Sequence, residues 1–291
     1  MGVPSVILDH LQTAGWVSKG EAQPVFGGDI AQTYRLHTNR GAIFLKFIAQ
    51  SALPYSLSVE ANGLTALYES KSMAIPDVLW QGDASPYSYL VLPWLPNGPL
   101  PTSAGFTFGQ ELARLHQTTG PYSGWDRPNL LGRLSQINAP DSHWPSFWRA
   151  NRIEPHLQAM QDQGLLPTPI KENIQTLKKR LDDFLPAEGR SLLHGDLWSG
   201  NYLYHSEEGR CYLIDPAVYY GHYEVDIAMT QLFGGFPSTF YDGYFTAKPL
   251  TTGWQKRQAI YQLYYLTAHV LLFGSSYLPR VKSKLGFILR G

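Results

Sequence analysis

The sequence predicts an α+β fold in two lobes: a small antiparallel-sheet N-lobe with one key helix, and a larger, mostly helical C-lobe. Three observations carry that reading. Through much of the first hundred residues β-rich runs are punctuated by turn residues, the pattern of strands. From about residue 106 apolar residues recur at three and four positions instead, the pattern of helices packed on one face. Between the two regimes lies Pro93-Trp-Leu-Pro-Asn-Gly-Pro-Leu-Pro101, too dense in breakers for either and read as a linker. The expected division is an N-terminal lobe over 1–92, a hinge over 93–101 and a C-terminal lobe over 102–291.

The elements follow in order. Tyr34–Thr38 and Ala42–Ile48 are β-rich runs separated by Asn39-Arg40-Gly41, a hairpin signal. Over 56–71 the period changes, and Val59, Leu64, Leu67 and Tyr68 share a helical face, the single helix expected in the first hundred residues. Strands are expected again at Asp77–Trp80 and Ser88–Leu95, with Gly82-Asp-Ala-Ser-Pro86 turning between them. A helix beginning near Phe106 continues through Leu112 and Leu115, and the Pro-, Gly- and Asn-rich stretch 120–145 reads as a long ordered loop. Ile170, Ile174, Leu177 and Leu181 mark an amphipathic helix, with Lys178, Lys179 and Arg180 on its solvated side. Short strands are expected at Ser191–His194, Asn201–Tyr204 and Cys211–Ile214, then helix with Ile260, Leu263, Tyr264 and Leu271 in the core.

Composition narrows the class. The 23 basic and 23 acidic residues of the 291 cancel, which argues against a nucleic-acid groove or an anionic membrane surface. A single cysteine, Cys211, excludes a disulfide framework and any cysteine-based metal cluster. No apolar run is long enough for a membrane helix, and the N-terminus lacks the basic-then-apolar pattern of a signal peptide. A cytoplasmic protein is expected. Charged residues make up only 16% while aromatics reach 13%, a composition suited to aromatic-lined cavities.

The strongest chemical signal is Leu192-Leu-His-Gly-Asp-Leu-Trp-Ser-Gly-Asn201, followed by Tyr212-Leu-Ile-Asp-Pro216. Phosphoryl transfer from ATP needs a carboxylate to orient the acceptor hydroxyl and oxygen ligands to hold Mg²⁺ against the phosphates. Asp196, Asn201 and Asp215 supply that set, and Mg²⁺ prefers one or two carboxylates with an amide oxygen and water. Lys46 is the second signal, a lysine amid apolar residues on both faces of a strand, where burial demands a partner. Glu60, in the following helix, is the candidate, and a Lys–Glu pair on nucleotide phosphates is a kinase feature. Third, Gly27 and Gly28, followed by Asp29, precede the first long strand; two glycines permit backbone close to phosphates, or simply turn a hairpin. Trp198 could stack on a sugar, and His222 and His269 could contact substrate or sit satisfied in the core. His194 reads as a loop organiser and Asp226 as a brace for the Asp196 loop. His116 suits a helix C-terminus. None of the nine histidines forms an H-x-x-x-H pair, which argues against a zinc enzyme.

With these residues the chain resembles the fructosamine kinase (ketosamine-3-kinase) family, a branch of the protein-kinase-like fold near the aminoglycoside phosphotransferases. The narrow match is Leu193-His-Gly-Asp-Leu-Trp-Ser-Gly-Asn201, then Asp215-Pro-Ala-Val-Tyr-Tyr-Gly-His-Tyr-Glu-Val-Asp-Ile-Ala-Met229. Further similarity lies in Gly27–Ile30, Asn129–Asn138 and Leu263–Gly274, nearly the whole chain in order. The resemblance implies that Asp196 is the general base, that Asn201 and Asp215 bind Mg²⁺, and that Lys46 with Glu60 holds the ATP phosphates. It also implies that Pro93, Trp94 and Leu95 form the hinge that takes adenine, and that the acceptor is the 3-hydroxyl of a ketosamine, free or on a glycated lysine. The 3-phosphate of such a compound decomposes and releases the amine, so the implied role is deglycation. Two positions depart from the family: Pro93 stands where an acidic residue is expected, and Ala268 where Asn precedes the histidine. No cysteine lies in residues 26–34, which excludes a thiol switch there. Three alternatives stay open: a kinase for another small alcohol such as choline or an aminoglycoside, a nucleotide-binding pseudokinase, and a metal-dependent hydrolase using His194, Asp196 and Asp215. The sequence sets no oligomeric state, and a monomer is compatible with it.

Overall fold

A computed structural model describes residues 2–25, 31–53 and 55–290. The chain divides into two compact units, residues 1–99 with 203–215, and residues 100–202 with 216–291. Among the described residues no helix is long and apolar enough to cross a membrane.

The first unit begins with a helix, α1 (Ser5–Thr13), followed by β1 (Gln23–Pro24), β2 (Gln32–Thr38) and β3 (Gly41–Ala49). After α2 (Ser56–Glu69) come β4 (Trp80–Ala84) and β5 (Tyr87–Pro93), completing an antiparallel sheet of order β1-β2-β3-β5-β4. The β2–β3 turn is the hairpin expected from sequence: Thr38 pairs with Gly41 across Asn39-Arg40, and Gly41 takes φ +107°. Asn39 also ties the turn back to the chain after α1, accepting from Val17 N–H and donating to the Gly15 carbonyl.

Alternation in β3 sends Ile43, Leu45 and Phe47 into a core with Ile7 and Leu11 of α1. The opposite face, with Phe44, Lys46 and Ile48, meets α2, whose Leu57, Ala61, Leu64 and Leu67 are buried. The expectation of one helix in this region is therefore corrected: a second helix covers the other face, which is why both faces of β3 are apolar. The strand expected at Asp77–Trp80 is also corrected, to Trp80–Ala84. Gly82 and Asp83 read as turn residues, yet β4 is an edge strand. There Tyr89 covers Gly82, and the Ser88 hydroxyl donates to Asp83 at 2.6 Å.

In the second unit α3 (Thr102–Leu115) starts four residues ahead of the expected Phe106. The stretch expected as plain loop contains a short hairpin, β6 (Asn129–Leu131) and β7 (Leu134–Gln136). Helices α4 (Trp144–Trp148), α5 (Glu154–Asp162), α6 (Thr168–Lys179) and α7 (Leu181–Phe184) follow, then β8 (Ser191–Leu193). The chain leaves this unit through β9 (Tyr202–His205) and β10 (Arg210–Leu213). It re-enters with β11 (Tyr219–Gly221), α8 (Glu224–Leu232), α9 (Ser238–Ala247), α10 (Trp254–Phe273) and α11 (Leu278–Leu289).

Its core forms around α10, buried along most of its length and packed on α5, α8 and α11. Trp144, Phe147 and Trp148 are fully buried beside it. Arg152 is buried too, its guanidinium 4.2 Å from the Tyr219 ring centre while it donates to Ile137 O and Asn138 Oδ1. That guanidinium orders the loop after β7. Helices α3 and α9 touch backbone to backbone, because a Cβ on Gly109 would overlap the Phe240 carbonyl. The α+β class, with an antiparallel sheet in the first unit and mostly helices in the second, is as the sequence predicts, while residues 203–215, expected in the C-terminal lobe, belong to the first unit.

Candidate active site

In the first unit a three-residue charge cluster forms around Lys46. From the middle of β3, its ammonium lies 2.7 Å from Glu60 Oε2 on α2 and 2.6 Å from Asp215 Oδ1 just beyond β10. Asp215 reaches it from a left-handed backbone, φ +51°, a conformation Asp tolerates better than most residues. Lys46 and Glu60 are largely buried while the Asp215 side chain is 44% exposed. Burial alone would push the ammonium down; the two carboxylates outweigh it and hold Lys46 above the ordinary lysine range. Burial pushes Glu60 above the ordinary carboxylate range, Lys46 pulls it back, and Asp215 adds to the rise. Two carboxylates share one ammonium, and the repulsion from Asp215 that helps raise Glu60 is one an added cation at Asp215 would relieve.

At the expected hinge Pro93 ends β5 opposite Ile43, and Trp94 N–H donates to the Ala42 carbonyl at 3.1 Å. The Trp94 ring lies against Arg35, with 4.8 Å between guanidinium carbon and ring centre. Trp94 thus fastens the end of β5 to β3. Gly27, Gly28 and Asp29 lie outside the described residues.

In the second unit the segment from His194 to Asn201 forms a tight loop after β8. Asn201 Nδ2 donates to the Asp196 carbonyl at 2.8 Å and lies 3.4 Å from Asp196 Oδ2. Trp198 N–H donates to the same carbonyl and Asn201 N–H to the Trp198 carbonyl. With the amide nitrogen turned to Asp196, the atom of Asn201 suited to a metal is Oδ1. An amide oxygen is among the hard oxygen donors that Mg²⁺ takes. Gly195 turns the loop with φ +83°, where a Cβ would overlap the Ala217 carbonyl, so only glycine fits.

The loop rests on Asp226, which is fully buried in α8. Its oxygens accept from His194 N–H at 2.8 Å, Gly195 N–H at 2.9 Å and His116 Nε2 at 3.2 Å. His116 Nδ1 lies 2.7 Å from the Tyr244 hydroxyl, and Tyr265 donates to the Gly195 carbonyl at 2.7 Å. Burial keeps His116 below the ordinary histidine range, so it is neutral: Tyr244 donates to Nδ1 and Nε2 donates to Asp226. The Asp226 brace and the organising role of His194 match the sequence reading. Tyr244 and Tyr265 were not foreseen, because their partners lie 128 and 70 residues away.

Asp226→Asn leaves the volume intact but turns an amide N–H₂ toward N–H donors, so one loop N–H loses its acceptor. The expected result is a ten- to hundredfold fall in kcat, roughly 1.4–2.7 kcal/mol, with nucleotide affinity kept. Steady-state kinetics beside nucleotide titration would check it, and an unchanged kcat would remove Asp226 from loop positioning.

The remaining candidates separate. Trp198 is 42% exposed, its ring folded over Gly200. His269 is half-buried and bonded to the Tyr265 carbonyl. His222 sits in the core between Tyr223 and Tyr261, and burial together with the charges of Arg257 and Lys248 pushes it down to about 3. Its neighbours are core aromatics rather than an open surface.

A model of the fructosamine kinase family matches residues 5–290. The chain is 38% identical over 268 residues to an Enterococcus faecium protein named as a probable ketoamine kinase, covering 91% of this chain and 94% of that one. It is 36% identical over 265 residues to a Vibrio parahaemolyticus protein of the same description, covering 90% of each. A crystal structure of a proposed fructosamine-3-kinase from Thermobifida fusca superposes with a TM-score of 0.89 at 28% identity, over 98% of this chain and 99% of that one. A type I macrolide 2'-phosphotransferase shares the fold at a TM-score of 0.64 and 14% identity, over 99% and 97% of the two chains. On these matches and the kinase-like fold, the chain belongs to the fructosamine kinase family of phosphotransferases.

Proposed function

We propose that the protein transfers the γ-phosphoryl group of ATP to the 3-hydroxyl of a ketosamine, with Mg²⁺. The observation that carries the reading is the Lys46 ammonium held between Glu60 and Asp215, in a chain of this family. Lys46, oriented by Glu60, takes the nucleotide phosphates, and Gly27, Gly28 and Asp29 bring backbone to them. The Pro93 carbonyl and the Leu95 N–H take adenine, with Trp94 stiffening the segment. Asn201 and Asp215 hold Mg²⁺, which when bound neutralises charge developing on the transferred group. Asp196 orients the acceptor hydroxyl and accepts its proton as the oxygen bonds to the γ-phosphorus and the bond to ADP breaks. Trp198 packs on the sugar and His269 meets the amine side; we assign His222 to the core. The product 3-phosphate releases its amine on decomposition, which makes the proposed role deglycation of small amines or protein lysines.

The test is phosphate transfer from ATP across ribulosamines, fructosamines, choline and aminoglycosides. Transfer to ketosamines alone is the expected result. Turnover only on choline or an aminoglycoside would overturn the acceptor, and ATP binding without turnover on any of them would favour the pseudokinase. Lys46→Met should lower kcat/KM for ATP by about a hundredfold or more, as expected when a phosphate-positioning charge is lost. Unchanged kinetics would take Lys46 out of the site.

A further inference from the structure

The loop that carries Asp196 has an aromatic neighbour in the same unit. Gly235 lies directly against Ser199, and the Tyr202 hydroxyl donates to the Gly235 carbonyl at 3.2 Å, so the segment after α8 runs along this loop. On that segment the Phe233 ring lies 4.8 Å from His269, whose ring also meets Phe273 at 5.3 Å and Tyr277 at 5.0 Å. Phe233 and Phe273 stay 39% and 54% exposed although each packs on the His269 ring. His269 stands one helical turn beyond Tyr265, the residue that holds Gly195, so only about 6 Å of α10 separates the box from the loop's anchor.

Two polar groups give the box a chemical preference. His269 Nδ1 lies 2.8 Å from the Tyr265 carbonyl, which can only accept, so Nδ1 carries the proton and Nε2 keeps a lone pair. Burial and the charge of Arg280 hold this ring below the ordinary histidine range, hence neutral at pH 7. Arg280, at the start of α11, lies 5.2 Å over Phe233 and gives one N–H to the Leu232 carbonyl at 3.0 Å. A guanidinium has five donors, so most of the fork is not engaged by that bond. The residue is exposed, and no carboxylate among the described residues pairs with it. Leu278–Leu289 also contains Lys282 and Lys284 and no acidic residue. A guanidinium pinned on a ring and open at its fork is suited to carboxylate.

We propose that His269, Phe233, Phe273, Tyr277 and Arg280 form the subsite for the amine half of the acceptor, and that it favours ketosamines of free α-amino acids. The substrate carboxylate pairs with Arg280, and the protonated amine nitrogen donates to His269 Nε2 among the aromatic rings. In an adduct on a protein lysine side chain, an alkyl chain occupies the position of that carboxylate, and Arg280 has nothing to pair with. The inference rests on the ketosamine reading above and adds which ketosamine is preferred.

The experiment compares two acceptors with one sugar, the ketosamine of glycine and that of glycinamide, in the wild type and in Arg280→Met, which keeps apolar cover over Phe233. The wild type is expected to favour the carboxylate about tenfold, through KM, the size of a partly exposed charged hydrogen bond. Arg280→Met should abolish the preference, chiefly by raising KM for the carboxylate acceptor. Equal kcat/KM for the two acceptors in the wild type, or an equal loss for both in the variant, overturns the subsite and leaves the ketosamine reading standing. Failure of both acceptors to take phosphate from ATP overturns the ketosamine reading and the subsite together.

Discussion

Asp196→Asn is expected to lower turnover by about 10²- to 10⁴-fold, the range for removing a general base, with ATP affinity near that of the wild type. This corresponds to about 2.7–5.4 kcal/mol in the barrier. The geometry makes the substitution unusually clean. The loop around Asp196 is held by main-chain atoms: the Asp196 carbonyl accepts from Asn201 Nδ2 and Trp198 N–H, and Gly195 is gripped by Asp226 and Tyr265. Asn201 Nδ2 approaches the carboxylate itself at Oδ2 over a long 3.4 Å. The asparagine side chain has the same shape and cannot take a proton at neutral pH, so chemistry is lost while the loop stays. Single-turnover kinetics with ATP titration and a melting curve separate the cases. Near-normal turnover would end the assignment of Asp196 as base. Lost turnover together with lost ATP binding would show that the loop had moved.

How far the sequence could be read depended on how local each signal was. The Asn39-Arg40-Gly41 turn, the helix carrying Glu60 and the oddness of Lys46 on an apolar strand are each written in one short stretch of chain, and each stands as expected. Lys46 was informative because burial makes an unpaired lysine costly, which turns a single residue into a search for its partner. Helix α1 was missed because only Ile7 and Leu11 of its nine residues are buried, too short a stripe to separate from a loop. Strand β4 was displaced because Gly82 and Asp83 have turn chemistry, and only edge position with cover from Tyr89 lets them pair. The brace under the Asp196 loop was half legible. Asp226 could be named from the motif, but His116, Tyr244 and Tyr265 join it across 70 to 128 residues, where no periodicity reaches. The box around His269 was invisible for the same reason, since Phe233 and Arg280 meet only through tertiary packing.

Acid should destabilise the protein steeply, and the cause is two core histidines. His156 lies parallel to Tyr264, with ring centres 4.6 Å apart, and burial with the neighbouring charge of Arg152 pushes it down to about 3. His222 is pushed down to about 3 as well, by burial first and by Arg257 and Lys248 after it. In the unfolded chain both titrate near 6.5. Between pH 3 and 6.5 the unfolded state therefore binds more protons than the folded one, so stability rises with pH across that window. The contribution is fully present above pH 6.5 and is lost progressively as pH falls through the window. Each buried neutral histidine contributes a slope of about 1.4 kcal/mol per pH unit. Together they remove roughly 4 kcal/mol between pH 6.5 and 5, against a typical total of about 5–15 kcal/mol. Urea unfolding at pH 7.5, 6, 5.5 and 5 measures the slope directly. His222→Phe and His156→Phe keep the aromatic packing and remove the titrating group, and each should lower the slope by about 1.4 kcal/mol per pH unit. His222→Phe is the sharper of the two, since His222 Nδ1 has no hydrogen-bond partner to lose. If both variants retain the wild-type slope, the acid sensitivity belongs to other groups and these two histidines already share their protonation between the folded and unfolded states.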